Sequence, residues 1–184
     1  PCNETVLFAA RLLKDKGLNH LVAAKKALSL RGLDFTLNVA GIIDNDVSAA
    51  IPLEQIERWN EAGVIRWLGN VSDMPNLIRE NDIICLPTTY GEGVPRILIE
   101  AASCQRAIVT TNVVGCREIV SHGYNGLLVK AGDVNSLADA LEQLLTKGEL
   151  LEQFGKHGRE KVKNEFSQEQ VFNQTQEVYN KLLL

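Results

Sequence analysis

The stretch EGVPRILIE, residues 92–100, places two carboxylates, Glu92 and Glu100, eight residues apart at the start of a predicted helix. Gly93 and Pro95 favour an opening turn, because the N–H that proline lacks would have no partner inside the helix there. Such a turn directs free N–H groups and a positive dipole end outward. If the stretch is helical throughout, the carboxylates lie roughly 12 Å apart. We therefore expect them to hold two ends of one extended ligand with an anionic middle.

Glu100 is also the only charge in its apolar surroundings, ILIEAA at residues 97–102. An ionised carboxylate on a helix that enters the core is costly unless something pairs with it. Glu100 is thus expected either to bind a ligand or to pair with a basic residue.

Short apolar stretches alternate with amphipathic ones along most of the chain. The predicted strands are 6–10, 35–40, 64–68, 83–86, 107–111 and 126–129; the predicted helices around them are 18–30, 53–61, 74–80, the Glu100 helix, 115–121 and 136–145. This alternation predicts a Rossmann-like α/β fold, a parallel sheet with helices on both faces. Ligands of such sheets bind at the carboxyl ends of the strands, where the loops with Arg11, Gly69 and Glu92 fall.

The remaining sequence, residues 149–184, is helical in pattern and more polar. Its apolar residues, among them Phe172 and Val178, are more than one helical face on a small domain needs. We expect part of this tail to be exposed or covered by another molecule.

The composition describes an ordinary globular domain. The chain has 184 residues, of which 45% are hydrophobic and 23% charged, enough for one domain with a full core. A net charge of −4 gives no electrostatic case for nucleic acid as a partner. The chain opens at Pro1, without Met, and runs directly into a strand, which favours a piece of a longer protein.

Cysteine and histidine spacing does not favour a zinc site. The four cysteines contain no C-x-x-C pair and the three histidines are scattered, so we expect reduced thiols packed as small hydrophobes and a cytoplasmic location. Asp44-Asn45-Asp46 spells D-x-D, a spacing with which two carboxylates can hold a divalent metal ion, but polar loops of this kind are common without metal. A nicotinamide fold would need G-x-G-x-x-G after the first strand, and AARLLK at residues 9–14 is not that motif.

The E-x7-E spacing resembles the donor-binding signature of retaining GT-B glycosyltransferases of family 4. Arg11 with Lys16-Gly17 resembles the family's R-x4-K-G element, and Trp67-Leu68-Gly69 its F-L-G strand end. Similar stretches follow at residues 108–120, at residues 125–129, and at Asp133 before Leu137-Ala138. The match runs in consistent order from about Phe8 to the C-terminus, and all of it belongs to the C-terminal domain of a two-domain enzyme.

The resemblance implies a role for each candidate site residue. Arg11 and Lys16 would grip the donor diphosphate, Glu92 would contact the sugar hydroxyls, and Glu100 would accept hydrogen bonds from the ribose. The turn at Gly93, Val94 and Pro95 would direct N–H groups at the diphosphate. The base would lie near the strand end at Arg66, Trp67, Leu68 and Gly69. Simpler interpretations remain open: a dipole-complementing charge for Glu92, and a solvated basic pair for Arg11 and Lys16.

The resemblance further implies transfer of a hexosyl or N-acetylhexosaminyl group from a nucleoside diphosphate sugar, with a UDP-sugar favoured and no metal cofactor. Three stretches look most like bacterial enzymes that build capsule, O-antigen of lipopolysaccharide, or other lipid-linked glycans. They are GVPR at residues 93–96, the loop at residues 44–52 and GCRE at residues 115–118. The acceptor would bind a missing N-terminal domain, which would also make any contact with the inner face of the membrane. Residues 1–184 alone would then be inactive. A non-catalytic nucleotide-binding or assembly module with the same fold is the alternative.

Three positions depart from the family pattern. Ala10 replaces the glycine before Arg11, and Gln105 and Ala107 replace a glycine and a proline after the Glu100 helix. Because glutamine does not adopt positive φ cheaply, we expect that loop to use a different turn or to have lost a close ligand approach.

Overall fold

A six-stranded parallel sheet organises the molecule. The computed structural model describes residues 4–43, 48–91 and 93–182. The strands, in the spatial order β3-β2-β1-β4-β5-β6, are β1 (Thr5–Ala9), β2 (Thr36–Ala40), β3 (Arg66–Gly69), β4 (Ile83–Leu86), β5 (Ala107–Thr111) and β6 (Gly126–Val129). All neighbouring strands pair in parallel. The predicted Rossmann-like α/β fold is confirmed.

Helices connect the strands and continue past the last one. They are α1 (Leu18–Leu30), α2 (Leu53–Glu61), α3 (Met74–Arg79), α4 (Arg96–Ser103), α5 (Cys116–Ile119), α6 (Val134–Thr146), α7 (Gly148–Glu165) and α8 (Gln168–Leu182). The helix α1 packs against α6, and α7 packs against α4 and β5. Every residue of the interior strands β4 and β5 is buried, as expected for strands covered on both faces.

The strand order reverses at β1, which pairs with β2 on one side and with β4 on the other. At such a switch point the loops that follow the two strands leave in opposite directions and open a crevice at their carboxyl ends. Here the first of these loops follows β1 and carries Arg11 and Lys16. The second follows β4 and leads to α4. Both loops carry residues that the sequence predicts to bind a ligand.

The start of α4 differs from the prediction. The helix begins at Arg96, and Pro95, with φ −67° and ψ 119°, occupies the extended position before it. Residues 93–95 are therefore not helical, and the premise behind the 12 Å separation of the two carboxylates is wrong. Glu92 itself lies outside the described residues.

The loop after α4 also differs from the prediction. Gln105 adopts φ 58°, so the turn keeps the left-handed conformation that a glycine would take more easily. The expectation of a different turn is wrong. The reason is local, because the turn closes the end of α4: the N–H of Gln105 donates to the Ala102 carbonyl and the N–H of Arg106 to the Ala101 carbonyl, both at 3.0 Å. This pair of hydrogen bonds requires a left-handed residue at position 105. The helix α7 crosses over the same turn, since a Cβ added to Gly155 would lie 2.2 Å from the Gln105 carbonyl oxygen.

The C-terminal helix α8 exposes apolar side chains, as predicted. Phe172, Val178 and Tyr179 are exposed, whereas Phe154 and Val162 of α7 are buried in the core. Within the described ranges, no helix has the length and apolar character needed to span a bilayer.

Candidate functional site

A cavity of about 230 Å³ lies at the carboxyl ends of the first strands. Its lining comes from the ends of β1 and β2, the residues after β3, and α3 and α4, and comprises Ala9, Ala10, Arg11, Ala40, Gly41, Ile42, Asn70, Val71, Met74, Ile97 and Glu100. The cavity thus brings together Arg11 and Glu100, two residues 89 positions apart in sequence that were predicted to bind the same donor. Its other walls are mostly apolar.

The backbone at the ends of β1 and β2 is held closely together. The N–H of Ala10 donates to the Ala40 carbonyl at 3.2 Å, and the N–H of Leu12 donates to the Ile42 carbonyl at 3.1 Å. A Cβ on Gly41 would lie 2.0 Å from the Ala10 carbonyl oxygen, so this position requires glycine. This packing fixes the backbone on both sides of Arg11.

Glu100 lies at the wall of the cavity and not deep in the core. Its side chain is 34% exposed, and one carboxylate oxygen lies 3.5 Å from Nη2 of Arg96, whose side chain is 90% exposed. The expected partner for this carboxylate is therefore present, but a pair so open to solvent contributes little. The carboxylate can accept hydrogen bonds from a ligand without first breaking a buried ion pair.

Lys16 ends a short 3₁₀ helix, Lys14–Lys16, that the sequence pattern did not predict. The residue is 7% exposed, and its ammonium nitrogen lies 5.5 Å from the centre of the Tyr90 ring. Lys16 is outside the cavity lining, toward the loop after β4. Because Lys16 is buried, the structure excludes the interpretation of this residue as a freely solvated lysine.

Residues 15–17 contact residues 87–90 directly, and we call this contact the loop junction. The backbone carbonyl of Asp15 accepts hydrogen bonds from the Thr89 N–H at 2.7 Å and from the hydroxyls of Thr88 and Thr89 at 3.2 and 3.1 Å. A Cβ on Gly17 would lie 1.9 Å from the Pro87 carbonyl oxygen, so glycine is required there too. The loop junction thus joins the loop after β1, which carries Lys16, to the loop after β4, which leads to α4.

The predicted base-binding residues form strand β3. The indole N–H of Trp67 donates to the Gly41 carbonyl at 3.1 Å, and the N–H of Gly41 donates to the Gly69 carbonyl at 2.8 Å. Arg66, Trp67, Leu68 and Gly69 are not among the residues that line the cavity; the next two, Asn70 and Val71, are. Trp67 thus supports the cavity wall through Gly41.

Sequence reasoning missed the apolar wall of this cavity. Ile42 and Val71 follow strand ends, and Ile97 lies three positions before Glu100, on the same helical face. Helical spacing from Glu100 could have found Ile97. Gly93, Val94 and Pro95 form the segment before α4, and Glu92 and the D-x-D loop, Asp44 to Asp46, lie outside the described residues.

A larger cavity, of about 430 Å³, lies at the opposite edge of the sheet. Asp82 and Arg106, which line it, immediately precede β4 and β5. The amino ends of parallel strands are not where such sheets bind ligands. Its charged lining, including Glu152 and Lys156, is also mixed in sign, so we assign the site to the smaller cavity.

The described residues offer little other chemistry. Within residues 4–43, 48–91 and 93–182, no group of three or more His, Cys, Asp or Glu side chains is arranged to hold a metal ion. Of the cysteines in the described ranges, Cys85, Cys104 and Cys116 are not in disulfide bonds. Burial raises the pKa of the Cys85 thiol far above its ordinary value, so this cysteine stays protonated and unreactive.

Comparison with known proteins gives consistent matches. The family model described as glycosyl transferases group 1 matches residues 3–161. The capsular polysaccharide biosynthesis glycosyltransferase CapM of Staphylococcus aureus is 28% identical over 181 residues, which are 98% of this chain and 47% of CapM. The N,N'-diacetylbacillosaminyl-diphospho-undecaprenol alpha-1,3-N-acetylgalactosaminyltransferase of Campylobacter jejuni is 32% identical over 140 residues, which are 76% of this chain and 35% of that enzyme.

Solved structures agree with the fold. The sucrose-phosphate synthase of Thermosynechococcus elongatus superposes with a TM-score of 0.85 at 25% identity, covering 100% of this chain and 46% of that one. HepE of Anabaena, solved in complex with UDP, superposes with a TM-score of 0.86 at 22% identity. The match covers 98% of this chain and 49% of the HepE chain. The chain therefore spans about half the length of CapM and of these two structures. With the family model matching most of its residues and its sheet matching one half of a GT-B fold, this chain belongs to the group 1 glycosyltransferases.

Proposed function

We propose that this chain is the donor-binding domain of a retaining glycosyltransferase that transfers a hexosyl or N-acetylhexosaminyl group from a nucleoside diphosphate, preferably UDP, to a glycan or lipid-linked acceptor of a surface polysaccharide. The observation that carries the proposal is the cavity at the switch point, where Arg11 and Glu100 line one site. The capsular and undecaprenol-linked products named for the relatives support the acceptor class. Structures of HepE with UDP and UDP-glucose support the donor class.

The nucleoside would occupy the cavity itself. At about 230 Å³ the cavity is too small for a whole nucleotide sugar, but its size suits a base and part of a ribose. Ile42, Val71, Met74 and Ile97 would contact the base, and the Glu100 carboxylate would accept hydrogen bonds from the ribose hydroxyls. Trp67 would act indirectly, by fixing Gly41.

The diphosphate would extend from the cavity along the loop after β1 toward the start of α4. Arg11 would form forked hydrogen bonds to its oxygens and Lys16 would act as a point charge. The segment from Gly93 through Val94 to Pro95 would add backbone donors, and Glu92 would contact the sugar. Charge on the departing diphosphate is what grows in the transition state, so these preorganised groups would lower the barrier without a covalent nucleophile.

The remainder of the enzyme would supply the acceptor site. Since this chain spans about half of CapM, we assign the acceptor, and any contact with the cytoplasmic face of the membrane, to a second domain. No residue of this chain is assigned to a metal, and the donor would bind without one. The second domain would also cover the apolar side chains that α8 exposes.

Calorimetric titration of residues 1–184 tests the proposal. UDP, GDP and ADP are compared first, followed by UDP-glucose and UDP-N-acetylglucosamine, each with excess EDTA and again with magnesium. We expect one nucleoside diphosphate to bind best, with the same affinity in EDTA and in magnesium. Absence of binding by every nucleotide contradicts the donor site. Binding that EDTA abolishes and magnesium restores contradicts its metal independence.

A further inference from the structure

Lys16 combines burial with a cationic side chain. The residue is 7% exposed, and residues on both sides of it are fixed by the loop junction, through the Asp15 carbonyl and the close approach of Gly17 to Pro87. Removing an ammonium group from water is costly unless nearby groups compensate. Groups around Lys16 must therefore stabilise its ammonium group at this buried position.

The face of the Tyr90 ring supplies part of that compensation. Its centre lies 5.5 Å from the Lys16 ammonium nitrogen, within the range in which a cation is attracted by the negative face of an aromatic ring. Tyr90 is 47% exposed, so one side of the ring remains open to solvent. An aromatic ring attracts a cation through its electron-rich face and carries no negative charge of its own.

The backbone of Tyr90 belongs to the same junction. Thr88 and Thr89, immediately before it, bond to the Asp15 carbonyl, immediately before Lys16. The Thr111 hydroxyl, at the end of β5, donates to the Thr88 carbonyl at 2.6 Å. The ring is thus attached to a segment that is anchored on two sides, and its distance from Lys16 is set by the fold.

We propose that Tyr90 is a positioning residue, which holds the Lys16 ammonium beneath its ring in the orientation that meets the donor diphosphate. This inference rests on the proposed function, because it requires that Lys16 bind the diphosphate. It predicts that Tyr90 contributes to affinity only for ligands that carry phosphate, and only while residue 16 is cationic.

Five variants of residues 1–184 test this inference: Tyr90→Phe, Tyr90→Leu, Lys16→Met, the double variant Tyr90→Leu/Lys16→Met, and Tyr124→Leu. Tyr124 is a matched control, since it is also 47% exposed but lies before β6, at the amino edge of the sheet. Calorimetry measures the Kd of each variant for UDP and for uridine, which has no phosphate. Thermal unfolding verifies that each variant is folded.

We expect Tyr90→Leu to weaken UDP binding by about 5- to 30-fold, the range of a partly desolvated cation–π contact, and to leave uridine binding unchanged. Tyr90→Phe keeps the ring and should stay within about twofold of the wild type, as should Tyr124→Leu. In the Lys16→Met background, Tyr90→Leu should have no further effect, because the cation it positions is gone.

Three results would overturn the inference: equal losses for UDP and uridine, a Tyr90→Phe loss as large as that of Tyr90→Leu, or a full Tyr90→Leu loss in the Lys16→Met background. A wild-type chain that binds no UDP contradicts the proposed uridine donor itself. If UDP binds and only the Tyr90 effects are absent, the donor site stands and the positioning role does not.

Discussion

The carbonyl oxygen of Gln105 lies so close to the α-carbon of Gly155 that a Cβ there would be 2.2 Å from it. Because Gly155 has no side chain, the backbone of α7 can pack directly against the backbone of the turn after α4. A second glycine of α7, Gly158, has ordinary spacing, because its Cβ would lie 3.4 Å from the Ala102 Cβ. The two glycines form a matched pair.

Gly155→Ala should destabilise the chain by about 1–3 kcal/mol, since the added methyl group forces α7 away from the turn. Gly158→Ala should be neutral or stabilise by up to about 1 kcal/mol, because alanine favours the helix and fits the space. Urea unfolding followed by circular dichroism measures both. Equal effects of the two substitutions would contradict the asymmetry.

Gln105→Gly should stabilise the chain by about 0.5–1 kcal/mol. Glutamine at φ 58° carries left-handed backbone strain, which glycine removes at some cost in unfolded-state entropy. Gln105→Ala, which keeps a Cβ, should leave the unfolding free energy nearly unchanged. A loss of stability in Gln105→Gly would show that the side chain contributes more than the strain costs.

Glu100→Ala should weaken UDP binding by about 1–3 kcal/mol through the lost charge-assisted hydrogen bonds to ribose. Arg96→Ala removes the exposed partner of Glu100 and should leave UDP affinity nearly unchanged. Calorimetry on both variants distinguishes ribose binding by Glu100 from a purely structural ion pair. Comparable losses in both variants would favour the ion pair.

Glu92→Ala should leave UDP affinity nearly unchanged and weaken only UDP-sugar binding, because Glu92 is proposed to contact the sugar hydroxyls. Glu100→Ala, in contrast, should weaken both ligands. The two variants are titrated with UDP and with UDP-glucose after circular dichroism has verified their folds. If both variants lose both ligands equally, the assignment of the two ends of the donor is wrong.

Residues 1–184 alone should show no glycosyl transfer above the rate of donor hydrolysis. The residues proposed to bind the donor lie in this chain, but no acceptor would be positioned or shielded from water, and positioning supplies a large share of the barrier reduction. Radiolabelled UDP-sugar with a lipid-linked acceptor measures transfer and hydrolysis together. Measurable transfer would mean that the catalytic unit is smaller than two domains.

The sequence predicted most strand and helix boundaries to within about two residues, because local patterns determine them. Four buried apolar residues between Asp82 and Pro87 define β4, whose bounds match the prediction. The helices α1 and α2 also have the predicted bounds. The strands are mostly apolar and most of the helices are amphipathic, and both patterns can be recognised in the sequence without tertiary information.

Features created by contacts between distant segments were missed. The 3₁₀ helix at Lys14–Lys16 lies where Gly17 packs against Pro87. The left-handed φ of Gln105 belongs to the hydrogen-bonded end of α4, a local turn that a glutamine does not indicate in a sequence. Likewise, Trp67 reaches across to Gly41, 26 positions away, so its role as support could not be inferred from its place in a motif. Motifs identified the loops of the site, whereas packing between those loops determines which residues face the cavity.

The loop junction also has a kinetic consequence. Three hydrogen bonds to the Asp15 carbonyl join the loops after β1 and β4 without any contribution from a ligand. Association of the proposed donor should therefore need little ordering of this backbone, and its entropic cost should be small. The association rate should then depend mainly on diffusion and on attraction between the basic residues and the anion, so that added salt slows it.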